Sequence, residues 1–524
     1  MAETKTAGRN GSQGNRLAQG IASNWTALVI NVAISFFLAP FVVNSLGSTW
    51  YGIWAVTMQF IGYLYLFDFG VRESVIRYTS KYVARRQGGQ LNKILTVAFS
   101  VYGVVTLLVF AATAVLVYAA PYFLNFEPEY RSDARWTIAL VGATIAQTFV
   151  FNVFSGVVLG LQRWVLNNVI GIIIVLVRTA LIVVALKAGH GIVMLASVQL
   201  ASAIASGLAT WVLAVRYLKD EGTPMRLVRL KARQFKALFS RVFRYGFFVL
   251  LNNIGQKLIL TSDAIIIATY LPVVSVTYFA IAGSLIDPLR SLLASTAHVF
   301  APVASNLHTQ GKHAELGAAM VSGTKLILIL ALPVGVTFAV LGSEFIRLWM
   351  GEEFAVPSGQ VLAILGIAAV ASTPSFVTNM VLYGISRHNI SANLKLAEAA
   401  VNLTLCIILV RKMGILGVAI GAAIPHIISS AMIMPYLVCK AIGYPLGRFY
   451  SATLTGPLLA AVPVVLIELW MRQRLQFTGL VEFFAAIAGV CVVYVVAVFF
   501  LGLDGRERAW LLGQVRRVRA GSQP

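Results

Sequence analysis

The chain has 524 residues, 59% of them hydrophobic and only 11% charged, with a mean hydropathy of +0.83. Its polar connections are too short to hold a water-soluble catalytic domain. The net charge of +22 is scattered over many separate segments, which excludes a coherent nucleic-acid face.

Fourteen apolar stretches follow one another along the chain. A hydrocarbon core about 30 Å thick is crossed by roughly 20 helical residues, so stretches of this length predict transmembrane helices. The predicted spans are 18–46, 50–70, 93–120, 135–161, 165–187, 190–217, 245–270, 273–300, 321–346, 355–384, 390–411, 414–439, 450–470 and 480–503. The expected fold class is an all-α polytopic membrane protein of about 14 transmembrane helices. An even number puts both termini on one side.

Assigning Lys and Arg to alternate sides leaves 30 on the side of the termini, 8 on the other and three inside spans. The positive-inside rule then makes both termini cytoplasmic. The first apolar run is too long for the core of a cleavable signal and reads as a spanning helix. The three cysteines, Cys406, Cys439 and Cys491, lie in predicted spans without metal-like spacing, and the six histidines lie mostly near span ends or in loops. No metal site and no cofactor are expected.

The longest cytoplasmic connection follows the sixth span. Leu227, Leu230, Phe235, Leu238, Phe239, Val242 and Phe243 are spaced to form an apolar helical face, with Arg229, Lys236, Arg241 and Arg244 around it. That pattern suits a helix lying on lipid headgroups, or a solvated basic face. The chain therefore divides into a tail (1–16), an N-lobe of spans 1–6 (17–217), a basic amphipathic linker (218–244), a C-lobe of spans 7–12 (245–440), two added spans (450–503) and a basic tail (504–524). Weak likenesses at offsets between 218 and 228 residues, such as Asp68 and Arg72 with Asp287 and Arg290, support two six-helix lobes. Same-orientation repeats are a recurrent transporter design.

Ionisable groups inside hydrocarbon cost roughly 2.5–3.5 kcal/mol each on insertion scales, so each needs a partner, water or a function. Lys257 sits near the middle of span 7 on a stripe with Asn253, Gln256, Thr261 and Asp263, and Asn24 and Asn31 line one face of span 1. These polar stripes predict a water-lined cavity. Arg178 is central in span 5 and, like Lys257, has no acid nearby in sequence. Arg290 follows Asp287 at a spacing that fits either a local pair or a cavity cation. Lys395 with Glu398, and Asp68 with Arg72, have the spacing of local pairs. Lys257, Arg178 and Arg290 are the candidate ligands of an anionic substrate, a diphosphate above all. Asp263, Asp287 and Glu398 are candidates for coupling to H+ or Na+. The small-residue patterns Gly156 with Gly160 and Gly417 with Gly421 permit close helix packing.

No phosphate-binding loop, dinucleotide fingerprint, H-E-x-x-H or G-x-S-x-G element occurs, so no catalytic residues are expected. The segments Arg16 to Asn24, Leu46-Gly-Ser-Thr-Trp-Tyr-Gly-Ile-Trp54, Phe67-Asp-Phe-Gly-Val-Arg72 and Thr261 to Ile267 together resemble the polysaccharide transporter family. This is the O-antigen flippase type of the multidrug/oligosaccharidyl-lipid/polysaccharide exporter superfamily. The resemblance covers most of the chain. It implies a multi-pass protein of the bacterial inner membrane that moves undecaprenyl-diphosphate-linked oligosaccharide, an O-antigen or exopolysaccharide repeat unit, to the periplasmic leaflet by alternating access. It also implies that cavity cations, here Lys257, Arg178 and Arg290, bind the diphosphate or acidic sugars. The implied partners are the lipid-linked substrate, membrane lipids and, as further candidates, polysaccharide assembly enzymes. A peptidoglycan-precursor flippase, a cation-coupled multidrug exporter and, from another class, a membrane-embedded glycan-processing enzyme stand as alternatives.

Overall fold

The computed structural model describes the backbone of residues 3–124, 126–505, 507–509 and 513. Side chains are described at 23, 26–59, 62–120, 122, 124, 126–242, 254–255, 257–259, 261–387, 389–505, 507–509 and 513. The helices are α1 Glu3–Leu46, α2 Ser48–Gly62, α3 Val71–Ala84, α4 Gly88–Phe123, α5 Arg131–Gly160, α6 Trp164–Lys187, α7 Ile192–Asp220, α8 Ala232–Tyr270, α9 Val274–Ala297, α10 Phe300–Thr309, α11 His313–Val340, α12 Gly342–Met350, α13 Glu352–Ala371, α14 Thr373–Gly384, α15 His388–Ile427, α16 Met434–Ile442, α17 Leu446–Arg474 and α18 Leu480–Ala497. No strand occurs among the described residues.

Ten helical runs among the described residues are long and apolar enough to cross a membrane. One of them, 389–442, contains a break at Gly414, where φ is 59° and ψ is −136°. A side chain would be strained there, and glycine lets the chain turn back. Predicted spans 390–411 and 414–439 divide at this point. Three other predicted spans have a different character. Span 50–70 becomes the 15-residue α2 and a 3-10 turn over Tyr63–Asp68, span 273–300 becomes α9 with Asp287, Pro288 and Arg290 inside it, and span 245–270 falls within α8, where side chains 243–253 lie outside the described residues.

The chain divides into two compact units, one of residues 1–257 with 272–277, the other of 258–271 with 278–524. In the first, α5 packs on α3, α4 and α7, and α1 packs on α6. Val42, Ile182, Leu186, Leu195 and Val198 form a core cluster there. The small residues of α5 set the spacing: a Cβ on Gly156 would lie 2.9 Å from the Val75 side chain, and one on Gly160 would lie 2.8 Å from the Ile76 carbonyl. Replacing Gly160 by valine is therefore expected to cost about 1–3 kcal/mol by forcing α3 and α5 apart. Thermal unfolding in detergent reads this directly, and an unchanged unfolding temperature would count against the close packing.

The linker departs from the helix predicted for it. Helix α7 runs on to Asp220, residues 223–231 are non-helical, and α8 begins at Ala232. Gly222 and Pro224 interrupt the helix, and α4 captures the freed backbone: Asn92 donates to the Pro224 carbonyl and accepts from the Arg226 N–H, both at 3.1 Å, and Thr96 Oγ1 accepts from the Val228 N–H at 3.1 Å. Leu227 and Leu230 thus lie outside the amphipathic helix.

In the second unit α11 packs on α13, α14 and α17, α12 on α13, α10 on α14, and α17 on α18. Its core cluster includes Leu293, Met320, Ile327, Val377, Leu382, Val438 and Phe449. The halves of α15 lie against each other, since a Cβ on Gly417 would fall 2.2 Å from the Leu409 carbonyl and one on Gly421 2.8 Å from the Cys406 amide. The start of the C-terminal tail is held by Glu507, whose carboxylate is 2.6 Å from Lys325 Nζ.

Candidate functional site

In the first unit the apolar helices hold few charges. Lys257 Nζ lies 3.6 Å from where a Cβ on Gly62 would stand. Gly62 ends α2, and the chain tightens directly into the 3-10 turn over Tyr63–Asp68, so the ammonium lies beside that junction. Arg178 of α6 donates from Nη1 to Gln199 Oε1 of α7 at 3.0 Å. A neutral amide on the next helix holds it, a partner that spacing within span 5 does not reveal. Asn31 donates to the Ala27 carbonyl of its own helix at 2.7 Å and is exposed. That bond uses one of its two amide donors. The side chains of Asn24, Asn253 and Gln256 lie outside the described residues.

Asp68 and Arg72 do not form the local pair their spacing suggests. The Tyr102 hydroxyl donates to Asp68 Oδ1 at 2.5 Å, and Arg72 Nη2 donates to Ser155 Oγ at 3.3 Å. The reason is the backbone between them: Phe69 and Gly70 have φ of 50° and 67°, which ends the 3-10 turn and starts α3 in a new direction. Residues four apart therefore do not share a helix face here.

The second unit brings four of the predicted ionisable residues, Arg290, Asp287, Asp263 and Glu398, into one cluster. Arg290 Nη1 of α9 is 3.9 Å from Asp287 Oδ1 and lies within electrostatic range of Asp263 on α8 and Glu398 on α15. Asp263 and Glu398 are 8% and 7% exposed. The Arg290 Nε is buried without a hydrogen-bond partner. A guanidinium that meets its nearest carboxylate only at the edge of ion-pair range keeps donors in reserve. Asp287 itself is exposed.

Two members of this cluster escaped the sequence. His426 Nδ1 lies 2.7 Å from Glu398 Oε1, and Glu398 is also within electrostatic range of Lys395. Cys406 Sγ lies 3.9 Å from Asp263 Oδ1, 3.8 Å from Asn402 Oδ1 and 3.5 Å from the Val418 carbonyl, three acceptors that share its single hydrogen. Histidine and glutamate are 28 residues apart and meet because α15 doubles back at Gly414. Glu468 lies apart from this cluster, on α17. It is fully buried, and Thr337 Oγ1 of α11 is 2.6 Å from its Oε1. Among the described residues no group of three His, Cys, Asp or Glu could hold a metal ion.

Long apolar helices carrying a few buried, individually placed ions define a multi-pass membrane protein. The family described as polysaccharide biosynthesis protein matches residues 17–308, and the chain belongs to that family. It is 23% identical to the uncharacterized membrane protein EpsK of Bacillus subtilis (strain 168) over 512 residues, covering 95% of this chain and 98% of that one. It is 21% identical to a putative O-antigen transporter of Shigella flexneri over 411 residues, 76% of this chain and 92% of the other. Its fold is similar to that of the lipid II flippase MurJ in an inward closed conformation, with a TM-score of 0.71 at 14% identity over 91% of this chain and 97% of that one.

Proposed function

We propose that the protein is a flippase of the bacterial inner membrane that moves an undecaprenyl-diphosphate-linked oligosaccharide from the cytoplasmic to the periplasmic leaflet by alternating access. The cargo is an O-antigen or exopolysaccharide repeat unit. In this reading fourteen spans place both termini in the cytoplasm, and polysaccharide assembly enzymes meet the protein there. The observation that carries the reading is Arg290, a guanidinium in an apolar helix whose buried Nε has no hydrogen-bond partner. Phosphate oxygens or a sugar carboxylate would take those donors. Lys257 and Arg178 supply further positive charge along the helices of the first unit. Support for the cargo comes from the family and from the Shigella relative named as an O-antigen transporter.

Coupling to H+ or Na+ is assigned to the acids around Arg290, namely Asp263, Asp287 and Glu398. The hydrogen bond between His426 and Glu398 favours the proton, because an imidazole and a carboxylate joined in this way can hold one and pass it on.

The test is leaflet translocation of a polyprenyl-diphosphate oligosaccharide by the purified protein in liposomes. Arg290→Gln and Lys257→Ala, at wild-type expression, should each slow translocation about tenfold or more, the value of one charge-assisted contact to phosphate. Unchanged rates in both variants would remove the cationic site. A peptidoglycan precursor and a cationic drug run in parallel separate the related cargo classes: transport of either in preference to the oligosaccharide would reassign the substrate.

A further inference from the structure

A cavity of about 660 Å³ opens where three helices of the second unit end, and Ser343, Glu344, Arg347, Arg472, Gln476 and Thr478 are among its lining residues. The ends in question are Val340 of α11, Arg474 of α17 and Leu480 of α18. All three helices are long and apolar enough to span a membrane, so the cavity lies at a boundary between lipid and water. Trp470, 57% exposed on α17, is of the type that marks this level.

The cavity is built rather than incidental. Arg347 is fixed by Glu344, with Nε to Oε2 at 3.1 Å and Nη2 to Oε1 at 2.6 Å, and its Nη2 also donates to the Phe477 carbonyl at 2.8 Å. The Phe477 ring is 3% exposed and packs edge-on against Phe483 at 5.3 Å between centroids. Thr478 donates from its N–H and its hydroxyl to Glu482 Oε2, each at 2.9 Å. The connection between α17 and α18 is thereby pinned from both sides. Ser343, Arg472 and Gln476, by contrast, make no side-chain hydrogen bond or ion pair among the described residues.

We propose that this cavity binds the phosphate group of a membrane lipid. The Glu344 and Arg347 charges cancel, which leaves the net single positive charge of Arg472 for one phosphodiester. Its volume is in the range of small-molecule sites, and a guanidinium with free donors at the headgroup level matches the oxygens of a lipid phosphate. Arg472 grips the phosphate oxygens, Ser343 and Gln476 complete their hydrogen bonds, and the acyl chains lie along the exposed apolar side of α17, where Leu466 is 62% exposed. The basic-residue bias assigns this end of the helices to the outer face. The assignment does not depend on the cargo proposed above.

Native mass spectrometry of the purified full chain tests it with four probes: phosphatidylglycerol, diacylglycerol of the same acyl chains, a short polyprenyl diphosphate and inorganic phosphate. Phosphatidylglycerol should bind the wild type at least about tenfold more tightly than diacylglycerol, Arg472→Gln should erase that difference, and Arg472→Lys should keep most of it. If the polyprenyl diphosphate binds more tightly still and with the same dependence on Arg472, the phosphate belongs to a translocated lipid rather than to bulk phospholipid, and the site stands. Inorganic phosphate binding as tightly as the lipids would overturn it, as would equal binding of phosphatidylglycerol to wild type and Arg472→Gln.

Discussion

Replacing Arg290 by alanine is expected to lower stability by about 3 kcal/mol, the lower end of the cost of stranding a buried charge by removing its counter-charge. The guanidinium is in electrostatic range of Asp263, Asp287 and Glu398, and of these Glu398 also has Lys395 in range. Glu398 keeps His426 as a partner at 2.7 Å, and Asp287 is exposed and can be solvated. Asp263 has neither resource. It is 8% exposed, and its carboxylate meets the weak thiol of Cys406 at 3.9 Å. Most of the cost should therefore arise at Asp263, and the double variant Arg290→Ala with Asp263→Asn should recover a large part of it. Thermal unfolding of the four proteins in detergent closes the cycle, with a coupling energy of about 1–3 kcal/mol expected for residues that interact this closely. Additive losses, with no recovery in the double variant, would show that the two side chains do not sense each other. Translocation would then be read separately, because a variant that is stable again but still inactive identifies Arg290 as a ligand of the cargo and not only as a counter-charge.

What could be read from the sequence follows from which interactions lie along one helix. The apolar runs, the Gly156 and Gly160 stripe, the close approach at Gly417 and Gly421, and the Asp287 to Arg290 contact depend on spacing within a segment, and spacing is written in the chain. The division of α15 was also readable, because Arg411, Lys412 and Gly414 interrupt the apolar run. Partners contributed by another helix were not. Gln199 for Arg178, Tyr102 for Asp68, Ser155 for Arg72 and His426 for Glu398 are fixed by how surfaces of Leu, Val and Ala pack, and those surfaces are alike in composition. The turn at Phe69 shows the same limit at short range: a residue with left-handed φ outside glycine is not signalled by its identity, yet it redirects the chain and dissolves an expected ion pair. The burial of Glu468 is not legible in the sequence for a related reason. A lone acid near the end of an apolar run resembles an interfacial residue, and only packing of α17 on α11 buries it.

That burial makes Glu468 the position where charge should matter most for folding. Its side chain is wholly inaccessible, Oε2 is buried without a hydrogen-bond partner, and Oε1 lies 2.6 Å from Thr337 Oγ1. The Thr337 hydroxyl is also 2.9 Å from the carbonyl of Pro333, one turn earlier in α11. A hydroxyl has one proton, so Thr337 cannot fully serve both oxygens, and a hydrogen on the side chain at position 468 would let both contacts form. Glu468→Gln supplies such a hydrogen from its amide at nearly the same shape and should unfold within a degree or two of the wild type, a shift under about 0.5 kcal/mol. Glu468→Ala loses the hydrogen bond and leaves a small cavity, at a cost of about 1–3 kcal/mol. Glu468→Lys would bury an ammonium with one hydroxyl oxygen to accept from it and no counter-charge, and should fail to accumulate in the membrane. The expected order in thermal unfolding is therefore wild type with glutamine, then alanine, then lysine. A glutamine variant as unstable as the lysine one would show instead that a negative charge is required at this position, and that a cation approaches α17 there.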